Sequence, residues 1–129
     1  NTMAENKEYF TQEMENGSIQ ISEDVVASVT GMAVLEVEGV CGLSSTIGTD
    51  IAEMLGMKTM ARGIRLTPMK DGAVKIECDV VAKFGQSVFS LAKTVQDAVK
   101  SSVESVAGLT VAQVNVNICG IAMPKELKK

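Results

Sequence analysis

AVKIECDVVAKF, residues 73 to 84, alternates apolar and polar residues over a dozen positions. Val74, Ile76, Cys78, Val80, Ala82 and Phe84 fall on one side, and Lys75, Glu77, Asp79 and Lys83 on the other. This is the pattern of a strand with one packed face and one wet face. Just before it, Lys70-Asp71-Gly72 reads as a hairpin turn, because Asp-Gly tolerates the positive φ angles that tight turns need. GIRLTPM, residues 63 to 69, alternates in the same way, and its Pro68 places that strand at an edge or an end. The hairpin is therefore antiparallel.

On the other side, Gly85 breaks the strand and Ser87 caps a helix running to about Ala107, with apolar Val88, Leu91, Ala92, Val95, Val99, Val103 and Val106. At about 30 Å it is long enough to cross a sheet. Gly108 ends it, and VAQVNVNI, residues 111 to 118, returns as a strand with Val114, Val116 and Ile118 inward and Asn115 and Asn117 outward. A strand, a crossover helix and a strand imply a parallel, right-handed return, so the sheet is mixed with its helices on one face.

Nearer the start, SIQIS (18 to 22) alternates as a short strand. Ser22 caps a second helix whose apolar positions Val26, Val29, Ala33, Val37 and Val40 follow helical spacing. EVEGVCGL, residues 36 to 43, reads as its end, with Gly39 or Gly42 left-handed and Val40 or Leu43 folding back as the apolar cap. After a flexible SSTIGT, DIAEMLGM (50 to 57) gives one or two helical turns. The expected fold is α+β: a two-layer sandwich of about four strands and two main helices, in the order β-α-short α-β-β-α-β. Residues 1 to 16 form an acidic, mobile arm, 17 to 122 a single domain, and 123 to 129 a tail.

With 129 residues, 46% of them hydrophobic, the chain suits one core and not two. Residues 1 to 24 hold six acids and one base, leaving the rest near neutral, so no basic field marks a nucleic-acid binder. Histidine is absent, which removes the commonest general base and metal ligand. Three widely spaced cysteines match neither a secreted disulfide framework nor CxxC metal or redox spacing. No apolar run approaches the roughly 20 residues of a membrane span, and no signal peptide is evident. A cytoplasmic location follows as the expectation.

Possible chemistry is sparse. Cys41 has no histidine or lysine neighbour in sequence to activate it, Cys78 falls on the packed strand face, and Cys119 shares the outward parity of Asn115 and Asn117. A three-cysteine metal site would require Cys78 to turn against its own strand. Glu36 and Glu38, two apart on a helix, point about 200° from one another and form no acid pair. Met54, Met57 and Met60 recur every third residue. Such thioethers could hold Cu(I), but they suit an adaptable contact surface better. Tyr9 and Phe10 either fold back onto the domain or dock a partner. On the long helix, Lys93, Asp97, Lys100 and Glu104 offer helix-stabilising pairs. No catalytic constellation and no cofactor site emerges, so the candidate interaction residues are Met54, Met57, Met60, Asn115, Asn117, Tyr9 and Phe10.

The segments GSIQISEDVVASVTGMAVLEVEGVCGLS (17 to 44), DIAEMLGMKTMARGIRL (50 to 66), DGAVKIECDVVAKFGQSV (71 to 88) and VAGLTVAQVNVNICGI (106 to 121) resemble, in order, the alkaline shock protein (general stress protein) family of Gram-positive bacteria. The resemblance covers about residues 17 to 121. It implies a cytoplasmic, non-enzymatic protein of stress response and cell-envelope homeostasis, acting through protein partners, a membrane-anchored one among them, or by self-assembly. Relatives carry more lysine around GMKTMARG, where this chain has only Lys58 and Arg62, which weakens a lipid or nucleic-acid role for that segment. An alternative is a regulatory adaptor for an enzyme of fatty-acid or acyl-CoA metabolism. A third is a metal or iron-sulfur handling domain, on the likeness of the element order alone.

Overall fold

The computed structural model describes residues 9–44 and 62–124. Its elements are β1 (Tyr9–Met14), β2 (Gly17–Ser22), α1 (Glu23–Leu35), β3 (Val40–Leu43), β4 (Ile64–Pro68), β5 (Val74–Lys83), α2 (Val88–Ser102) with a π-helical turn over Val103–Ala107, and β6 (Val111–Ala122). The α+β class and the mixed sheet with two helices are as expected. β5 is the organising strand. It pairs antiparallel with β4 across the 70–72 turn, where Gly72 has φ +90°, and parallel with β6 after the crossover through α2.

Membership of the sheet differs from the sequence reading. The fourth strand is β3, not the 18–22 segment. Residues 40 to 43 do not cap a helix: α1 ends at Leu35, Gly39 turns the chain at φ +102°, and Val40–Leu43 lies along β5. β3 and β4 share one edge of β5 end to end, since β4 pairs with Val74 to Cys78 and β3 with Val80 to Ala82. They meet at Asp79, whose N–H donates to the Gly63 carbonyl at 2.8 Å and whose carbonyl accepts from Ser44 N–H at 2.9 Å. Gly63 has φ +80°, and a Cβ there would stand 2.5 Å from the Ser44 carbonyl oxygen, so this junction requires glycine.

Residues 9 to 14, expected within a mobile arm, form a strand instead. β1 and β2 make a separate two-stranded hairpin that turns through Glu15-Asn16, with Met14 paired to Gly17. The Asn16-Gly17 pair sits one residue past the centre of this turn, Gly17 opening β2 at φ +136°. Phe10 anchors the hairpin in the core at 5% exposure, while Tyr9 beside it is exposed. Gln12 Nε2 donates to the Gly108 carbonyl at 2.6 Å, tying β1 to the end of the second helix.

The core lies between the sheet and the helices. Val74, Ile76, Cys78, Val80 and Ala82 are fully buried, as their alternation predicts. Phe84 is not: β5 ends at Lys83, and the ring is exposed beyond it. Against these residues pack Val26, Ala33 and Val34 of α1 and Leu91, Val95 and Val99 of α2. Ser22 caps α1, accepting from Val25 N–H, and Ser87 caps α2, accepting from Ser90 N–H. The buried positions Leu91, Val95, Val99, Val103 and Ala107 recur every four residues, whereas an α-helix turns every 3.6. The seam drifts around α2 until the wider π-helical turn brings Ala107 back to the core. Ala107 thus replaces the expected Val106, which is exposed. Gly108, at φ +72°, ends the helix as expected.

Candidate interaction surface

The outer face of the sheet carries the densest polar arrangement of the described residues. The hairpin register sets Arg65 of β4 opposite Glu77, and the parallel register sets Asn117 of β6 opposite Asp79. Arg65 forks onto Asp79, Nη1 to Oδ2 at 2.8 Å and Nη2 to Oδ1 at 2.9 Å, and Nε reaches Glu77 Oε1 at 3.4 Å. Asn117 Nδ2 donates to Glu77 Oε2 and Asp79 Oδ1, each at 2.9 Å.

The electrostatics follow from these bonds. The Arg65 fork holds the Asp79 carboxyl below the usual carboxylate range, with help from Asn117. Glu77 is held low first by the Asn117 amide and then by Arg65. The two acids in turn push the Arg65 guanidinium further up. On the opposite side of the strand, burial pushes the Cys78 thiol up to about 12. Carboxylates held low stay ionised and are poor proton carriers near neutrality. The cluster is suited to fixing three strands in register, and with one guanidinium against two carboxylates it carries a net negative charge.

The helical layer carries a different kind of surface. Ser28, Val29, Met32, Ala33 and Glu36 of α1 and its end, with Ser102 and Val106 of α2 and its π-helical turn, line an open groove of about 390 Å³. Met32 is 47% exposed and Val106 69%. The π-helical turn is what sets Val106 at this rim. A second apolar set, Phe84, Phe89, Ile121 and Met123, is exposed around the end of β5, the start of α2 and the end of β6.

The residues singled out in the sequence are not brought together. Met54, Met57 and Met60, with the short helix expected around them, lie outside the described residues. Asn115 and Asn117 are on the outer face as expected, but Asn117 is not free to pair with another chain. It is bonded across to β5, and Asn115 Nδ2 lies 3.4 Å from Gln113 Oε1. Of the four charges on α2, the pair the structure shows is Lys100 with Glu104 at 3.0 Å, and Glu104 also accepts from Val111 N–H. All three cysteines are free, Cys78 buried and Cys41 and Cys119 exposed. Sequence reasoning missed Arg65, although counting back from the Asp71-Gly72 turn places it opposite Glu77. It also missed the groove, for which a π-helical turn leaves only the run of four-residue steps as a sign.

Among the described residues, no group of three or more cysteines, aspartates and glutamates is placed to hold a metal ion, and no helix is long and apolar enough to cross a membrane. Comparison with known proteins gives a consistent picture. The uncharacterized protein Spy1614 of Streptococcus pyogenes serotype M6 is 30% identical over 113 residues, covering 86% of this chain and 93% of that protein. The uncharacterized proteins YqhY and YloU of Bacillus subtilis are 27% and 29% identical over 105 and 107 residues, each match covering 81% of this chain, with 77% of YqhY and 88% of YloU. No solved structure gives a significant match. The model of the alkaline shock protein family, described as having a cell envelope-related function, matches residues 11–123, so it takes in most of the β1–β2 hairpin as well as both helices and the whole four-stranded sheet; this chain belongs to that family.

Proposed function

We propose that this protein acts without catalysis, as a protein-interaction module of the stress response that maintains the cell envelope, its partner contacting the groove between α1 and the π-helical turn. The observation that carries this reading is the exposure of Met32 and Val106 on either side of an apolar groove. Large apolar side chains lining a concave surface are a common form of partner site, and methionine adapts to varied partners. The family's cell envelope-related function supports the setting.

The test is capture from a native membrane-containing lysate by the immobilised wild-type chain and by a Met32→Lys, Val106→Lys double variant. The reading expects the wild type to retain an envelope or membrane-anchor protein and the variant to lose it, because a charge desolvated in a contact is far costlier than one in water. Equal retention by both would remove the groove from the function. Retention of a fatty-acid enzyme in place of an envelope protein would favour the adaptor reading.

A further inference from the structure

The two edges of the four-stranded sheet are built differently. β4, on one side of β5, carries Arg65 and Pro68, and charge and proline are usual means of keeping a free edge from recruiting another chain. β6, on the other side, runs for 12 residues without a charged residue or a proline. It pairs with β5 and with no other described strand. The start of its outer edge is covered by α2: Gln96 Nε2 donates to the Val114 carbonyl at 3.0 Å, and Glu104 Oε2 accepts from Val111 N–H at 3.0 Å. Val114 thus turns its backbone groups away from β5. By strand alternation Val116 and Ile118 do the same, up to the register break between Ile118 and Gly120. Among the described residues nothing covers the N–H and C=O groups of these two residues.

The same two bonds fix which flank of α2 overhangs the edge. Steps of four and three residues back from Glu104 give Lys100, Gln96, Lys93 and Phe89, one stripe of the helix. The helix runs against β6, because it returns the chain between two parallel strands. From the contact of Gln96 with Val114, Lys93 lies about 4.5 Å back along the helix and Val116 about 6.6 Å on along the strand. Phe89 lies about 10.5 Å back and Ile118 about 13 Å on, so Lys93 stands level with Val116 and Phe89 level with Ile118. Val116 and Ile118 are only partly buried at the margin of the core, and Phe89 is 74% exposed. Over the covered start the charges offset, Lys100 bonded to Glu104 and Asp97 beside them. Over the open stretch Lys93 is the one charge on this flank of α2.

We propose that the outer edge of β6 receives an extended peptide segment of a partner protein, which adds antiparallel as a further strand and carries an apolar residue beneath Phe89 and, two residues later, an acidic one facing Lys93. Main-chain bonds to Val116 and Ile118 hold such a segment, while its inward side chains complete the apolar margin and meet the ammonium. Antiparallel addition gives the better-aligned bonds over so short a stretch. A second copy of this chain is the poorer occupant: paired antiparallel about Val116, it would set its own Lys93 against this one, a like-charge contact. The surface lies on the flank of α2 away from Val106 and α1, so it does not rest on the groove.

The test is NMR of the full chain labelled with nitrogen-15, read as amide hydrogen exchange. In the free protein the Val116 and Ile118 amides should exchange faster than those of Asn115 and Asn117, which point toward β5. The probe is a capped peptide of threonine and serine with Ile-Thr-Glu at its centre. The expected result is saturable slowing of the Val116 and Ile118 amides at millimolar peptide, with binding weakened about fivefold when lysine replaces the peptide's glutamate. N-methylation of that glutamate, which removes a main-chain donor and keeps the charge, should abolish the slowing. Lys93→Glu should invert the preference between the two peptides, and Phe89→Ala should weaken both. Both variants stand at exposed positions, and unchanged thermal melting of each verifies that the fold is intact. No slowing with the glutamate peptide, equal affinity for the glutamate and lysine peptides, or full binding of the N-methylated one would each overturn the site. Slowing of the same amides on concentrating the protein alone would overturn it in favour of a second copy.

Discussion

The two faces of β5 are built from the same ten residues by opposite means. The inner face, Val74 to Ala82 by twos, is filled by apolar side chains at 0% exposure, and its energetics are those of volume and contact. The outer face is held by geometry: one guanidinium fork, two carboxylates and one amide, each bonded across a strand boundary. The inner face is what makes the chain fold, and the outer face sets how β4, β5 and β6 line up once it has. Removing volume from the first should therefore cost far more than removing charge from the second.

The largest effect is expected from Ile76→Ala, which empties space in the middle of the packed face and should lower stability by about 2–5 kcal/mol in denaturant titration. A smaller loss would mean that the helices close over the gap. Next comes Cys78→Ser, which places a hydroxyl in the same apolar layer at a cost of about 1–3 kcal/mol. Cys41→Ser and Cys119→Ser, both exposed, should cost less, and a ranking that puts Cys78→Ser mildest would reverse the assignment of faces.

Arg65→Met tests the outer face through its pH dependence. Glu77 and Asp79 bind protons less readily in the folded chain than in the unfolded one, so acid favours unfolding. The stability they add is present above about pH 4 and is lost as the pH falls through their lowered values. Arg65→Met should flatten that acid limb, most through Asp79, while changing neutral stability less than Cys78→Ser does. An acid limb identical to wild type in urea midpoints from pH 2 to 7 would separate the fork from the linkage.

Asn117→Lys should have the smallest effect. An ammonium in place of the amide would still face Glu77 and Asp79, so the stability should change by no more than about 0.5 kcal/mol. Nor should it alter self-association through the strand edge, because this side chain lies on the face of the sheet, not along the edge. Sedimentation of both proteins over a concentration series checks this.

What could be read from the sequence follows the same division. Period-two alternation in 73–84 and 111–118 located β5 and β6, and the Asp71-Gly72 turn brought β4 with them. The cap serines and Gly108 were legible because capping is local chemistry. β3 was not: a four-residue segment preceded by Gly39 and interrupted by Gly42 looks like a helix end, and only pairing with distant β5 makes it a strand. β1 was missed by reading acidity as mobility, when Phe10 and the Glu15-Asn16 turn define a hairpin. The groove could not be read from α-helical spacing, because the π-helical turn changes the period where Val106 would otherwise have been buried.

The junction at Asp79 has a consequence for how the chain tolerates change. Ser44 and Gly63 are both held to the backbone of that one residue, so everything between them begins and ends at a single clamped point on the edge of the sheet. Gly63 is therefore the position on this edge least open to substitution: a side chain there would displace the Ser44 carbonyl and loosen β3 and β4 from β5 together.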